Sequence, residues 1–323
     1  MKKAYSANDY VKSILSGDRA GLAKGITLIE SRKQEDRDLA IQVLEKLFIH
    51  TGKSIRIGIT GVPGAGKSTF IESLGKLLTS SGKKVAVLSI DPSSSKTRGS
   101  ILGDKTRMEE LSQNELAFIR PSPSGNSLGG ITDTTREAML LCEAAGYEII
   151  IVETVGVGQN ETKVYGMVDF FLLMLITGAG DELQSMKKGI FEMADGIVIN
   201  KADGNNANAA KLYGSEISKS LHYFSAQPIP VMSCSALHNK GVEAVWKEIM
   251  KVISTGKKNG SFHKRRREQR LNWLNSSLRD MLELWIFNNA SMKKSLKDLE
   301  SKVIKGEIFP LNAARLLIKK IKP

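Results

Sequence analysis

Apolar residues in the first fifty positions recur at helical spacing: Val11 and Ile14, then Leu22, Ile26 and Ile29, then Leu39, Ile41, Leu44 and Leu47. Charged residues fill the gaps, so the pattern predicts an N-terminal helical extension over residues 1–52. Gly52 ends it, and the chain changes to short β-branched runs separated by helical stretches. The runs are Ile55 to Thr60, Val85 to Ile90, Tyr147 to Val152, Phe170 to Ile176, Gly196 to Ile199 and Ile229 to Met232. Several are apolar throughout, as expected of parallel strands covered on both faces by helices. Residues 53–256 therefore read as an α/β domain with a doubly wound, mostly parallel sheet. After Gly256 to Gly260 the strands stop, and residues 257–323 read as a helical arm. Leu271, Leu274, Leu278, Met281 and Trp285 form one stripe at spacings of three and four, suited to folding back onto the sheet or to pairing with a second copy. A second helix is expected from Lys293 to Lys305, ended by Gly306, and a third from Pro310.

Composition narrows the class. With 323 residues and 41% hydrophobic content, one substantial core with helical additions fits better than two equal domains. The two cysteines, Cys142 and Cys234, lie in core segments outside any CxxC or Cys/His cluster, which argues against a disulfide scaffold or a zinc site. The start, MKKAYSANDYVKSIL, carries no apolar run or small-residue cleavage site, so no export signal is expected. The longest uncharged apolar run, Phe170 to Thr177, is too short to span a bilayer. A cytoplasmic protein is expected. The net charge of +13 is concentrated in the tail, where residues 257–323 hold 17 Lys and Arg against 6 Asp and Glu. Such a tail suits RNA, an acidic partner or a membrane surface, but equally the solvated faces of long helices.

The chemistry is carried by loops that follow the predicted strands. Gly61, Val62, Pro63, Gly64, Ala65, Gly66, Lys67, Ser68 and Thr69 match GxxxxGK[ST], between a strand and a helix expected over Phe70 to Leu78. The glycines let backbone amides turn around a β-phosphate, Lys67 reaches the β- and γ-phosphates, and Ser68 ligates Mg²⁺. The base is selected elsewhere. Asn200, Lys201, Ala202 and Asp203 end another strand, where Asp203 can accept from guanine N1 and N2, Asn200 supports the loop, and Lys201 lays its stem across the ring. Ser235, Ala236 and Leu237 present backbone suited to the guanine O6. GTP is the expected substrate and GDP the product.

Two acidic strand ends, Asp91 and Glu153, are candidate Mg²⁺ ligands through water, with Asp104 a further one, and the amide of Gly156 can sense the γ-phosphate. No glutamine follows Gly156 directly, and Gln159 comes three residues later. Weak water positioning predicts slow intrinsic hydrolysis that a partner accelerates. The loop from Thr177 to Lys188 combines mobile glycines with Asp181, Gln184 and Lys187, a mixture that a passive connection does not need.

With those residues in hand, the chain resembles the MeaB/ArgK family of P-loop GTPases, which includes the methylmalonic aciduria type A protein. The matching segments are GVPGAGKST, DPSSSKTRGSILGDKTRM, ETVGVGQNE, GAGDELQSMKKGI, NKAD and SALHNKGV. The resemblance implies a homodimeric GTPase chaperone that binds an adenosylcobalamin-dependent acyl-CoA mutase, gates cofactor loading and protects or reactivates the enzyme. Carried over by motif, Ser68, Asp91, Asp104 and Glu153 would serve Mg²⁺, and the loop around Gln184 and Lys187 would be an extra switch. Lys96 and Arg98 depart from the usual apolar residue and glycine, which leaves partner contacts near that loop open. The chain has no DxHxxG, and its four histidines lack ligand spacing, so cobalamin is expected on the partner. Three rivals are an ATP-using kinase regulating basic amino-acid uptake, a nickel-insertion GTPase and an RNA- or ribosome-associated GTPase. Asn200 and Asp203 argue against the first, the lack of His-rich or Cys-containing segments against the second, and the basic tail is the sole motive for the third.

Overall fold

The computed structural model describes residues 5–31, 33–91, 108–123, 130–154, 160–178, 189–221 and 228–320. Seven parallel strands form one sheet: β1 Ile55–Gly61, β2 Val85–Asp91, β3 Ala117–Pro123, β4 Ile149–Thr154, β5 Phe170–Leu175, β6 Gly196–Ile199 and β7 Val231–Ser233, in the order β3-β2-β4-β1-β5-β6-β7. Registers such as Ile57 beside Ile151 and Phe170 bring the strand ends level. Every residue of β4, β5 and β6 is buried, which is why their sequences show no alternation.

The edge strand β3 is absent from the sequence expectation. Its sequence, AFIRPSP, contains two prolines and an arginine, tolerable because β3 pairs only with β2. Three N-terminal helices, α1 Ala7–Leu15, α2 Arg19–Ile29 and α3 Gln34–Leu47, share the sheet's core through Ile14, Leu22, Ile26, Ala40, Val43 and Leu47. Ser6 and Asp9 form a reciprocal cap at α1, and Asp18 accepts from Ala20 and Gly21 at α2. Arg120 on β3 pairs with Glu30, the C-cap of α2, at 2.5 Å.

Among the described residues, the remaining α-helices of the first unit are α4 Lys67–Ser80, α5 Glu109–Gln113, α6 Gly130–Ala144, α7 Asn160–Tyr165, α8 Gly189–Met193, α9 Ala207–Leu221 and α10 Val242–Asn259. The helix α10 passes through Gly256 and ends at Gly260, whose φ of 81° supplies the left-handed cap. Next comes α11, Ser261–Asn288, followed by α12 Ala290–Ile304 and α13 Pro310–Lys319.

The chain divides into two compact units, residues 1–269 and 270–323. The start of α11 thus belongs to the first unit. Arg266 donates to both carboxylate oxygens of Asp169, at 2.7 and 2.6 Å, and to the carbonyls of Gly52 and Ser54, each at 2.5 Å. Arg265 pairs with Asp195 at 2.8 Å and stacks over Tyr165 at 4.6 Å, while Gln269 donates to the carbonyl of Val168 at 2.8 Å. These partners lie at the amino ends of β1, β5 and β6. In the second unit, Met292, Leu299, Ala313 and Leu317 form a small core with Ile286, Leu296, Val303 and Ile308 against it. The stripe Leu271, Leu274, Leu278, Met281 and Trp285 is exposed.

Candidate nucleotide site

The site gathers at the carboxyl ends of β1, β4, β5 and β6, where loops leave in both directions from the central strand. β1 ends at Gly61 with φ 151°, and a Cβ there would lie 2.1 Å from the carbonyl oxygen of Met174 on β5. Only glycine allows β5 this close. The loop turns through Gly64 at φ 75° and Gly66 at φ 82°, and α4 starts at the next residue. The Lys67 ammonium donates to the carbonyls of Gly61 and Val62 at 2.9 and 3.2 Å, so it is held inside the loop's concavity, where phosphate oxygens would compete for its protons. The helix begins three residues before the expected Phe70, because its first turn is the motif itself.

Ser68 donates to Glu153 Oε1 at 3.1 Å, and Ser89 approaches the other oxygen at 3.5 Å. Glu153 is buried at the end of β4, and the hydroxyls of Thr154 and Thr60 join β4 to β1 at 2.8 Å. A serine hydroxyl beside a buried carboxylate is a hard-oxygen set of the kind Mg²⁺ takes. Among the described residues no group of three His, Cys, Asp or Glu could hold a metal. A P-loop metal does not require one, since phosphate and water supply most of its ligands.

The loops expected to recognise the base are tied to the glycine-rich loop by one side chain. Asn200 donates to the carbonyl of Ala65 at 2.8 Å and accepts from the amide of Ala236 at 3.0 Å. A Cβ on Gly66 would fall 2.5 Å from the Asn200 amide nitrogen, so this glycine also makes room for the second motif. The Cys234 thiol donates to the same Asn200 oxygen at 3.4 Å, and burial pushes its pKa up to about 12, which keeps the thiol a donor. Ser235 donates to the Asp203 carboxylate, orienting the oxygen pair predicted to meet guanine N1 and N2. Lys201 adopts φ 58°, and its carbonyl accepts from Asn206 at 2.7 Å, which in turn accepts from Thr177 at 2.6 Å. The Leu237 side chain is 74% exposed at the rim.

The structure therefore brings together Gly61 to Thr69, Glu153, Asn200 to Asp203 and Ser235 to Leu237. The backbone of Asp91 ends β2 beside them, but its side chain lies outside the described residues, as do Lys96, Arg98, Asp104, Gly156, Gln159, Asp181, Gln184 and Lys187. Ser73, Ser89 and Asn206 were not anticipated from sequence. They sit in no motif, and only the folded pairing of distant segments discloses them.

The family model described as "Methylmalonyl Co-A mutase-associated GTPase MeaB" matches residues 22–291. The chain is 43% identical over 312 residues to GTPase ArgK of Escherichia coli, covering 95% of this chain and 94% of that one. It is 40% identical over 323 residues to the mitochondrial methylmalonic aciduria type A homolog of Mus musculus, covering 96% and 78%. A solved structure described as an LAO/AO transport system kinase superposes with a TM-score of 0.77 at 35% identity, covering 98% of each chain. A family model matched from residue 22 to residue 291 and a likeness running nearly end to end place this chain in the MeaB family of P-loop GTPases.

Proposed function

We propose that this chain hydrolyses GTP slowly and uses the nucleotide cycle to act on an adenosylcobalamin-dependent acyl-CoA mutase, methylmalonyl-CoA mutase before others, gating cofactor loading and protecting or reactivating the enzyme. The observation that carries the nucleotide part is the Asn200 bridge from Ala65 to Ala236, which couples phosphate grip to base selection. The family description carries the partner. In this reading Lys67 and the amides of Gly64 to Thr69 bind the β- and γ-phosphates. Asp203, Ser235, Ala236 and Leu237 select guanine, and Lys201 covers its ring. Ser68, Asp91, Asp104 and Glu153 serve Mg²⁺, directly or through water. Held by these residues, Mg²⁺ would neutralise charge developing on the phosphate oxygens. Gly156 senses the γ-phosphate, and Gln184 and Lys187 belong to the switch through which the mutase reports.

The same reading makes the protein a cytoplasmic homodimer, with the exposed stripe from Leu271 to Trp285 as the paired surface, and leaves cobalamin on the mutase. Among the described residues no helix is long and apolar enough to cross a membrane. Nucleic acid is the weaker alternative, because Arg265 and Arg266, two of the tail's cations, are consumed by Asp195 and Asp169. The ATP-dependent kinase alternative conflicts with the base loop built around Asp203. The test is turnover of GTP by the purified chain, alone and with a cobalamin-dependent acyl-CoA mutase from the same organism, with ATP in parallel. A slow GTP rate that rises several-fold with the mutase, without ATP turnover, supports the proposal. GTP turnover indifferent to the mutase removes the partner and advances the RNA reading.

A further inference from the structure

Ser73 belongs to no nucleotide motif. It lies six residues past Lys67 on α4, about 9 Å along the helix axis at 1.5 Å per residue, and it is buried. A serine inside a helix commonly turns its hydroxyl onto the carbonyl three or four residues back, as Ser80 on this same helix does to Lys76 at 2.7 Å. Ser73 instead donates to the carbonyl of Ala236 at 2.6 Å, across 163 residues of chain.

Ala236 is thereby held on both sides, its amide on the Asn200 side chain at 3.0 Å and its carbonyl on Ser73. We propose that Ser73 is a positioning residue for guanine-nucleotide retention. One rigid helix carries Lys67 and Ser68 to the phosphates and, two turns on, fixes the peptide that faces the base. The inference rests on the guanine-nucleotide reading of the site and assigns this residue a part in it. Removing the hydroxyl leaves the Ala236 carbonyl only its longer bond from the Asn239 amide, at 3.3 Å within the same turn, and frees the loop from Ser235 to Leu237 from α4, while the phosphate contacts remain.

The experiment is release of a fluorescent GDP analogue from the full chain, chased with unlabelled GDP, for the wild type, S73A and S73T. Single-turnover hydrolysis of prebound GTP and thermal melting are measured on the same samples. S73A is expected to release about tenfold faster, the equivalent of ~1.4 kcal/mol. S73T, which keeps the hydroxyl, should release within about twofold of wild type, and the hydrolysis step of both should stay within the same margin. Release of S73A at the wild-type rate overturns the proposal, as does S73T releasing as fast as S73A. A parallel loss of nucleotide retention, hydrolysis and melting temperature in S73A also overturns it, since that describes a merely structural serine. A wild-type chain that fails to retain the GDP analogue sinks the guanine reading itself, a result distinct from any of these.

Discussion

Replacing Arg266 by methionine tests the amino edge of the sheet. The Arg266 side chain is 11% exposed and its partner Asp169 only 1%. Methionine keeps the apolar stem but removes four donor contacts: two on Asp169, one on Gly52 and one on Ser54. Asp169 would keep the backbone amide of Arg56, at 2.8 Å, against a buried negative charge. Breaking a buried ion pair from one side costs about 3–5 kcal/mol because the remaining charge is uncompensated. For a unit of this size each kcal/mol shifts the melting temperature by about 2–4 °C, so R266M should melt roughly 10 °C lower. R265M is the internal control. Its pair is more open, at 22% and 24% exposure, and its loss should be about 1–2 kcal/mol. The double variant R266M/D169N removes the stranded charge and keeps an acceptor for the Arg56 amide, so it should be more stable than R266M. Urea unfolding of the four proteins measures all three differences. A cost for R266M below about 1 kcal/mol, or a double variant no more stable than R266M, would refute the reasoning.

Three further outcomes are expected. D203N should weaken GDP binding by about 10³- to 10⁴-fold, because the guanine N1 and N2 donors lose their carboxylate, and should gain affinity for xanthine nucleotides, whose C2 oxygen accepts from the new amide; competitive displacement of labelled nucleotide reads both. Cys234, with its pKa pushed up to about 12, and Cys142, raised further by burial and then by Glu143, should react with a disulfide reagent at pH 8 about 10³-fold more slowly in the folded chain than in urea, since thiolate is the reacting form. Burial raises the pKa of Glu137 above its ordinary 4.5, with the hydrogen bond and charge of Arg37 opposing it. The native chain therefore binds a proton that the unfolded chain releases, and this contribution is fully present below about pH 4.5 and lost as pH rises through the folded value. The stability advantage of wild type over E137Q should accordingly widen as pH falls from 7 through the folded value towards 4.5, and an advantage that narrows over that range would contradict the assignment.

The motifs were legible because their chemistry is local. Gly61 to Thr69 needs its glycines, lysine and serine within nine positions, and the strand that feeds it is marked by uninterrupted β-branched residues. β3 was not legible, since Arg120 and two prolines are strand-compatible only at an edge, and edge position is a property of the assembled sheet. The tail's charge was legible as a quantity but not as an arrangement. Arg265 and Arg266 read like solvated cations, yet each meets an aspartate that lies at the start of a distant strand.

Four of the polar pairs that hold this fold and its site together share that property. Asn200 meets Ala65, Ser73 meets Ala236, Ser68 meets Glu153 and Arg266 meets Asp169, and in every case the partner lies 85 or more residues away. Hydrophobic periodicity reports which face of an element is buried, because any apolar neighbour satisfies it. A buried hydrogen bond is satisfied only by one specific group, so its partner becomes visible once the sheet order is known. The four pairs also divide by edge. Those at the carboxyl edge align groups that would touch nucleotide or metal, so their loss should alter binding and turnover. The Arg266 pair at the amino edge fastens the first turns of α11 to the ends of β1 and β5, and its loss should appear first as lost stability of the unit that carries the site.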